Sequence, residues 1–337
     1  MRIEKKSVFA IASILLLSMI PINVNAEQNT VNLTWFGFTS FEIATPDYSS
    51  VVYTNPNIWR YNQSQAFEVK LKPPYESPES LANFLKEKNA KDIVLTLTND
   101  HPDEIGDLFE LEKAFQDANL PYKIVAQSDL ARNWMIPEME KRGINTDVVM
   151  RIGYGGKVSI GDVRIIGTLA LHGSSPWPLS MVIDVNGVRV WHTGGTAIFS
   201  DMRLIDKLYN PQIALISITD AQFSMGPMEA GYAARLLRPE IAIPTHYLAS
   251  AEQFPNVSTL EDVEEFKKYV DEFTFGKVKV VMPKLGEPFT YTAGAKVQEA
   301  SDPAIQTYEN NDTVYLATLG AGTFFAGLAL GKRLKDK

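Results

Sequence analysis

The chain has 337 residues, no cysteine, 21 % charged side chains and a formal net charge of −8. The acid excess argues against a nucleic-acid binder, because that affinity rests on Lys and Arg neutralising phosphates. The missing cysteines exclude a disulfide-built scaffold, and a chain of this length can bury a large core without one.

The first 26 residues read as a secretory signal. MRIEKKS is basic, VFAIASILLLSMI is an uncharged run of thirteen, and Val24 and Ala26 are small residues before a cut at Glu27. The competing reading is an uncleaved anchor helix. A second apolar run, Val314 to Gly331, has eighteen uncharged residues and is followed by KRLKDK. As a helix it rises about 27 Å, close to a hydrocarbon core of about 30 Å. The basic tail, 332–337, prefers the cytoplasmic side. The expected layout is a signal over 1–26, an extracellular domain over 27–291 and a stalk over 292–313. A transmembrane helix over 314–331 and the tail complete a single-pass protein of the cell membrane. Gly327 and Gly331 have the spacing of a close-packing pair, which would suit a helix–helix partner. Removing the signal (net +2) and the tail (net +3) leaves the rest near −13. N-x-S/T sequons at Asn32, Asn62, Asn256 and Asn311 suit a glycoprotein.

Between the ends, VNLTWF, FEIAT and VVYT are short strands with turn residues between them. SPESLANFLKEKN is a helix with a serine start, DIVLTLT a buried strand, and Asp107 to Ala118 a helix. YKIVAQ is a strand, and SDLARNWMIPEMEKRG a helix interrupted at Pro137. DVVMRIG, KVSIGDVRIIGTLAL and PLSMVIDVNGVRVWHTGG are sheet, with a hairpin at Asn186–Gly187. Helix and strand then alternate through DMRLIDKLY, PQIALISI, MEAGYAARLLRPEIAIPTHY, TLEDVEEFKKYVDEF and VKVVMP. No internal repeat stands out. The order predicts two sheets with helices outside, in one domain.

All four histidines fall where strands end: His101 after DIVLTLT, His172 after GTLAL, His192 in RVWHTGG and His246 closing EIAIPTHY. Strand ends along one sheet edge are where α/β proteins gather their chemistry. WFGF (35–38), YTNP (53–56), TNDHPDEIGD (98–107), LALHG, HTGGT (192–196) and MEAGYAARLLRPEIAIPTHY (228–247) together resemble the metallo-β-lactamase superfamily. The likeness is to the branch that includes the ascorbate-phosphate lactonase, and it covers residues 31–285. It implies an αββα sandwich with one or two metal ions, commonly zinc or manganese, at the sheet edges, and hydrolysis of esters, lactones, lactams, thioesters or phosphodiesters.

The match departs from the family pattern at several polar positions. The family's T-H-x-H-x-D-H loop is here Thr98, Asn99, Asp100, His101, Pro102, Asp103, Glu104, so two histidines have become Asn99 and Glu104. His172 and His246 keep their ligand positions. Gly195 stands where relatives carry a metal-bridging carboxylate, and Phe38 and Asn55 replace a histidine and an aspartate. The resemblance implies a first metal position of Asn99, His101 and His172, weakened because Asn99 offers only an amide oxygen. It implies a second of Asp103, Glu104 and His246, whose two carboxylates favour manganese, iron or calcium over zinc. The expectation is one divalent ion, with the other position weak or lost. Asp103 would be both ligand and proton acceptor, His192 a neighbour outside the ligand set, and Trp177 a lining of the mouth or a loop plug. Asp220 could approach the sheet edge, although a turn cap explains it too. Pro102, Asp103 and Glu104 also suit a plain helix start. Two functions remain open: a membrane-anchored hydrolase of a small ester, lactone or phosphodiester, and an inactive surface scaffold that binds a ligand.

Overall fold

In the computed structural model, residues 29–60, 67, 69–219, 224–248 and 257–295 are described. The signal, the apolar run 314–331, the basic tail, Asp220 and the sequons at Asn62, Asn256 and Asn311 lie outside them. Among the described residues no helix is long and apolar enough to cross a membrane.

Strands β1 (Thr30–Gly37), β2 (Ser40–Ala44) and β3 (Ser50–Thr54) form an antiparallel meander. Next come α1 (Pro78–Glu87), β4 (Asp92–Thr96), α2 (Pro102–Ile105), α3 (Leu108–Asp117) and β5 (Tyr122–Gln127). A helical stretch from α4 (Ser128–Leu130) to α5 (Ile136–Lys141) leads to β6 (Val149–Ile152). The second half holds β7 (Lys157–Ile160), β8 (Val163–Thr168), β9 (Ser180–Val185) and β10 (Val188–His192). It continues with α6 (Met202–Tyr209), β11 (Ile213–Ser217), α7 (Pro227–Leu237), β12 (Ile241–Thr245), α8 (Leu260–Thr274) and β13 (Lys279–Val280). Strand β14 (Pro288–Thr292) returns to pair with β1.

Two seven-stranded sheets result, ordered β14-β1-β2-β3-β4-β5-β6 and β13-β12-β11-β10-β9-β8-β7. Each has an antiparallel part and then three parallel pairings, so the halves repeat in topology although no repeat is visible in the sequence. Strand alternation sorts the core into layers. In the first sheet Val52, Val94 and Val125 join one apolar cluster with β8–β12, whereas Tyr53, Ile93, Leu95, Ile124 and Ala126 join another with α1, α3 and α5. This is the helix–sheet–sheet–helix layering expected from the residues. Thr292 pairs with Thr30, and the Ala293 N–H bonds to the Asn29 carbonyl, so the folded domain reaches slightly past residue 291.

Pro137 does not break its helix. Residues Ala131–Met135 form a π-turn, with the Ile136 N–H bonded to the Ala131 carbonyl, and Pro137 sits in the first turn of α5. One wider turn absorbs the missing proline N–H. The hairpin at Asn186–Gly187 forms as the dipeptide dictates, both residues having positive φ (53° and 80°). Asn32 sits in β1 and accepts a hydrogen bond from the Thr290 hydroxyl at 2.7 Å.

Candidate metal centre

The site forms where β4, β8, β10 and β12 end. After β4, Asn99 makes a tight turn: its Oδ1 accepts the His101 N–H at 2.8 Å. His101 then precedes the one-turn helix α2, and Pro102 at its start lacks only an N–H that no helix partner would use. That turn presents His101, Asp103 and Glu104 together, with one ligand atom from each lying within 4.8 Å of the others. The two residues that end the motif are structural. Gly106 has φ 47°, and a Cβ there would lie 2.5 Å from the Pro56 carbonyl. Asp107 Oδ2 accepts the N–H groups of Ile58 and Trp59 at 2.7 and 2.6 Å.

Each side chain in the cluster has a defined partner or a conspicuous lack of one. His101 Nε2 lies 3.1 Å from the Ser174 carbonyl. A carbonyl only accepts, so Nε2 carries the proton, and in the neutral ring Nδ1 keeps its lone pair. That Nδ1 is 3.9 Å from Glu104 Oε2. Asp103 Oδ2 lies 3.0 Å from His246 Nε2, which brings His246 to the cluster from the end of β12. Burial works against the Asp103 charge, but the His246 hydrogen bond and charge hold its pKa down to about 2. Glu104 is fully buried, and neither carboxylate oxygen has a hydrogen-bond partner. Burial first, and then the Asp103 charge, push its pKa well above the usual carboxylate range, with the Asn99 amide offsetting a little. His246 Nδ1 is likewise buried and unpartnered, and the buried Asn99 Nδ2 faces the Glu104 carboxyl without a hydrogen bond of normal geometry.

Several expected roles change. The Asn99 oxygen serves the turn and its amide nitrogen is the buried end, so the weak ligand read from the sequence is diverted to backbone geometry. His172 lies beside the cluster rather than in it. Its ring is 5.0 Å from the His101 ring between centroids, and its Nε2 is 3.2 Å from Ser174 Oγ. It also fills the space that Gly195 leaves: a Cβ on Gly195 would stand 2.8 Å from His172 Cε1. The expected grouping of Asp103 and Glu104 with His246 therefore becomes a tight His101–Asp103–Glu104 set, to which His246 is joined through Asp103.

His192 stands outside this set. It is fully buried, its Nε2 bonds to the Thr39 carbonyl at 2.8 Å, and its Nδ1 accepts the Gly194 N–H at 3.0 Å. Burial lowers its pKa to about 4, so it is neutral. Asp100 accepts the Ser175 hydroxyl at 2.6 Å and ties the two loops together. Trp177 is half-buried and packs on the helix-side core. The residues that sequence reading passed over are Ser174 and Ser175, which carried no signal, whereas Asn55 was read only as the replacement of an aspartate.

The donors fit a cation. Two adjacent carboxyl groups, one of them buried without a hydrogen bond of normal geometry, face an imidazole lone pair, and no Lys or Arg pairs with either among the described residues. Oxygen-rich sets with one or two imidazoles suit divalent ions.

A family model described as the beta-lactamase superfamily domain matches residues 77–247. A UPF0173 metal-dependent hydrolase of Thermofilum pendens is 34 % identical over 237 residues, covering 66 % of this chain and 95 % of the relative. One of Staphylothermus marinus is 35 % identical over 66 % of this chain and 89 % of its own length. Among solved structures, Igni18, a metallo hydrolase of Ignicoccus hospitalis, superposes with TM-score 0.58 at 26 % identity, covering 78 % of this chain and 98 % of that one. The chain belongs to the metallo-β-lactamase superfamily.

Proposed function

We propose that the protein is a metal-dependent hydrolase of a small ester, lactone or phosphodiester that works with one divalent cation. The observation that carries this reading is Glu104: fully buried, unpartnered at both oxygens, and set against Asp103 and His101. A buried carboxyl beside a second, charged carboxylate keeps its proton until a counter-charge arrives, so a cation here would displace that proton and gain a ligand. His101, Asp103, Glu104 and His246 would hold the ion, of which manganese and iron suit the carboxylates better than zinc. When bound, the ion supplies Lewis-acid chemistry toward water and toward a carbonyl or phosphoryl oxygen. Asp103 is the carboxylate placed to accept a proton, and His246 fixes its orientation at 3.0 Å. Ser174 orients His101 through its carbonyl and contacts His172 through its hydroxyl. The test is turnover of a panel of small lactones, esters and phosphodiesters, with and without chelator. Hydrolysis that chelation stops and Mn²⁺ restores supports the reading. No turnover by protein carrying its cation would favour an inert scaffold, a reading supported by the Asn99 turn and by the missing side chain at Gly195.

The same reading places this domain outside the cell, held by the apolar run 314–331 with KRLKDK inside. The basic start, the apolar run of thirteen and the small residues before Glu27 support it. Protease added to intact cells should remove the domain and spare a short anchored tail, and a fully protected domain would refute this topology.

A further inference from the structure

Three non-glycine residues with left-handed backbone meet beneath the candidate centre: Phe38 (φ 45°), Asn55 (φ 44°) and His246 (φ 64°). Such conformations cost of order 1 kcal/mol or more for a side chain like Phe or His, and persist where surrounding contacts enforce them. Here the contacts form one connected path. The Phe38 carbonyl accepts the His246 N–H at 2.9 Å and the Trp35 indole N–H at 3.1 Å. The next residue, Thr39, is wholly buried, and its hydroxyl accepts a hydrogen bond from Asn55 Nδ2 at 2.9 Å. The same amide nitrogen reaches Thr98 Oγ1 at 2.9 Å, while Asn55 Oδ1 accepts the Thr98 N–H at 2.8 Å. Thr98 immediately precedes Asn99, whose turn aims His101 and Asp103.

We propose that Asn55 is a positioning residue that sets the two halves of the candidate centre against each other, by clamping Thr39, which leads to His246, onto Thr98, which leads to Asp103. An amide is suited to this: one NH₂ supplies both donors, one oxygen takes the backbone N–H, and the group adds no charge beneath two carboxylates. Asn also tolerates left-handed φ better than other side chains. The proposal rests on the cation-site reading for its functional consequence, but its geometric core does not.

The experiment uses the full chain in detergent, with two variants, Asn55→Ala and the milder Thr39→Val, and a remote core control, Leu111→Ala. First, crystal structures without added metal measure the Asp103–His246 contact, now 3.0 Å. In Asn55→Ala it is expected to open beyond hydrogen-bond range; a contact unchanged there and in Thr39→Val overturns the proposal whether or not the protein binds metal. Second, Mn²⁺ affinity is read by titration calorimetry well below every unfolding midpoint. Loss of a group that orients ligands costs about 10–100-fold in metal affinity. Asn55→Ala should lose that much, and Thr39→Val less. Leu111→Ala should stay within about twofold despite a lowered midpoint, because a general loss of stability leaves ligand geometry intact. If Asn55→Ala fails to fold, Thr39→Val decides, and an affinity equal to the parent's counts against the proposal. A parent that binds no Mn²⁺ would defeat the cation-site reading and leave the structural comparison to decide the clamp.

Discussion

Asp103 Oδ2 and His246 Nε2 are 3.0 Å apart, although 143 residues separate them in sequence. The contact joins the loop after β4, in one sheet, to the end of β12, in the other. A cation held there would clip the two sheets together, so its binding energy would appear as folding stability. His246→Ala is therefore expected to erase the rise in unfolding midpoint that Mn²⁺ gives the parent. Asp117→Asn, in an exposed pair with Lys113, should keep the full rise. Thermal unfolding with chelator and with MnCl₂ reads both. A rise that survives His246→Ala would put the ion elsewhere.

Glu104 predicts opposite effects on stability and binding. Without metal, the buried Glu104 carboxyl beside the charged Asp103 is held protonated, at a cost to folding. With its pKa raised, Glu104 must take up a proton to fold at neutral pH; Glu104→Gln removes that cost at nearly constant shape and should stabilise the metal-free protein by on the order of 1 kcal/mol or more. The same change should abolish the response to Mn²⁺. Urea unfolding in chelator and in Mn²⁺ measures the two effects, and a variant less stable than the parent in chelator would contradict this account of Glu104.

Gly195 and His172 share one volume. Gly195→Ala would bring a methyl within 2.8 Å of His172 Cε1, so the ring must move. Overpacking of this kind typically costs about 1–3 kcal/mol. Adding His172→Ala should recover part of that cost, giving a coupling of about 0.5 kcal/mol or more in a double-mutant cycle. Strict additivity would show that the two do not compete for space.

Glu112, on α3 and remote from the centre, predicts a pH dependence. It is buried with neither oxygen hydrogen-bonded, and burial raises its pKa to about 8 from 4.5, with Arg142 pulling weakly the other way. A carboxyl with a raised folded-state pKa contributes fully below its unfolded pKa, and the contribution is lost as pH rises through the folded value. Stability should therefore decline between about pH 4.5 and pH 8 at up to about 1.4 kcal/mol per unit. Glu112→Gln should flatten that decline. Urea midpoints of both proteins across this range test it, and equal slopes would show that Glu112 is ionised in the folded protein.

Most of the scaffold is legible in the residues because its signals are local. Asn186–Gly187 announces its hairpin, alternation sorts Val94 from Ile93 and Leu95, and the four histidines mark strand ends. The grouping at the centre is not local. Asn99 reads as a weakened ligand until the His101 N–H takes its oxygen, and only the fold brings the His172 ring against Gly195. The π-turn before Pro137 and the three tyrosines around buried Glu42 were equally hidden. Tyr48, Tyr53 and Tyr75 reach one carboxylate from three separate segments, with no spacing to betray it.

The proposed centre holds a single cation between His101, Asp103, Glu104 and His246. Elemental analysis should be made on full-length protein purified in detergent with neither chelator nor added metal, and again after saturation with Mn²⁺ and gel filtration. One divalent ion per chain, lost in Glu104→Gln, is the predicted result. Two ions per chain, or none after saturation, would contradict it.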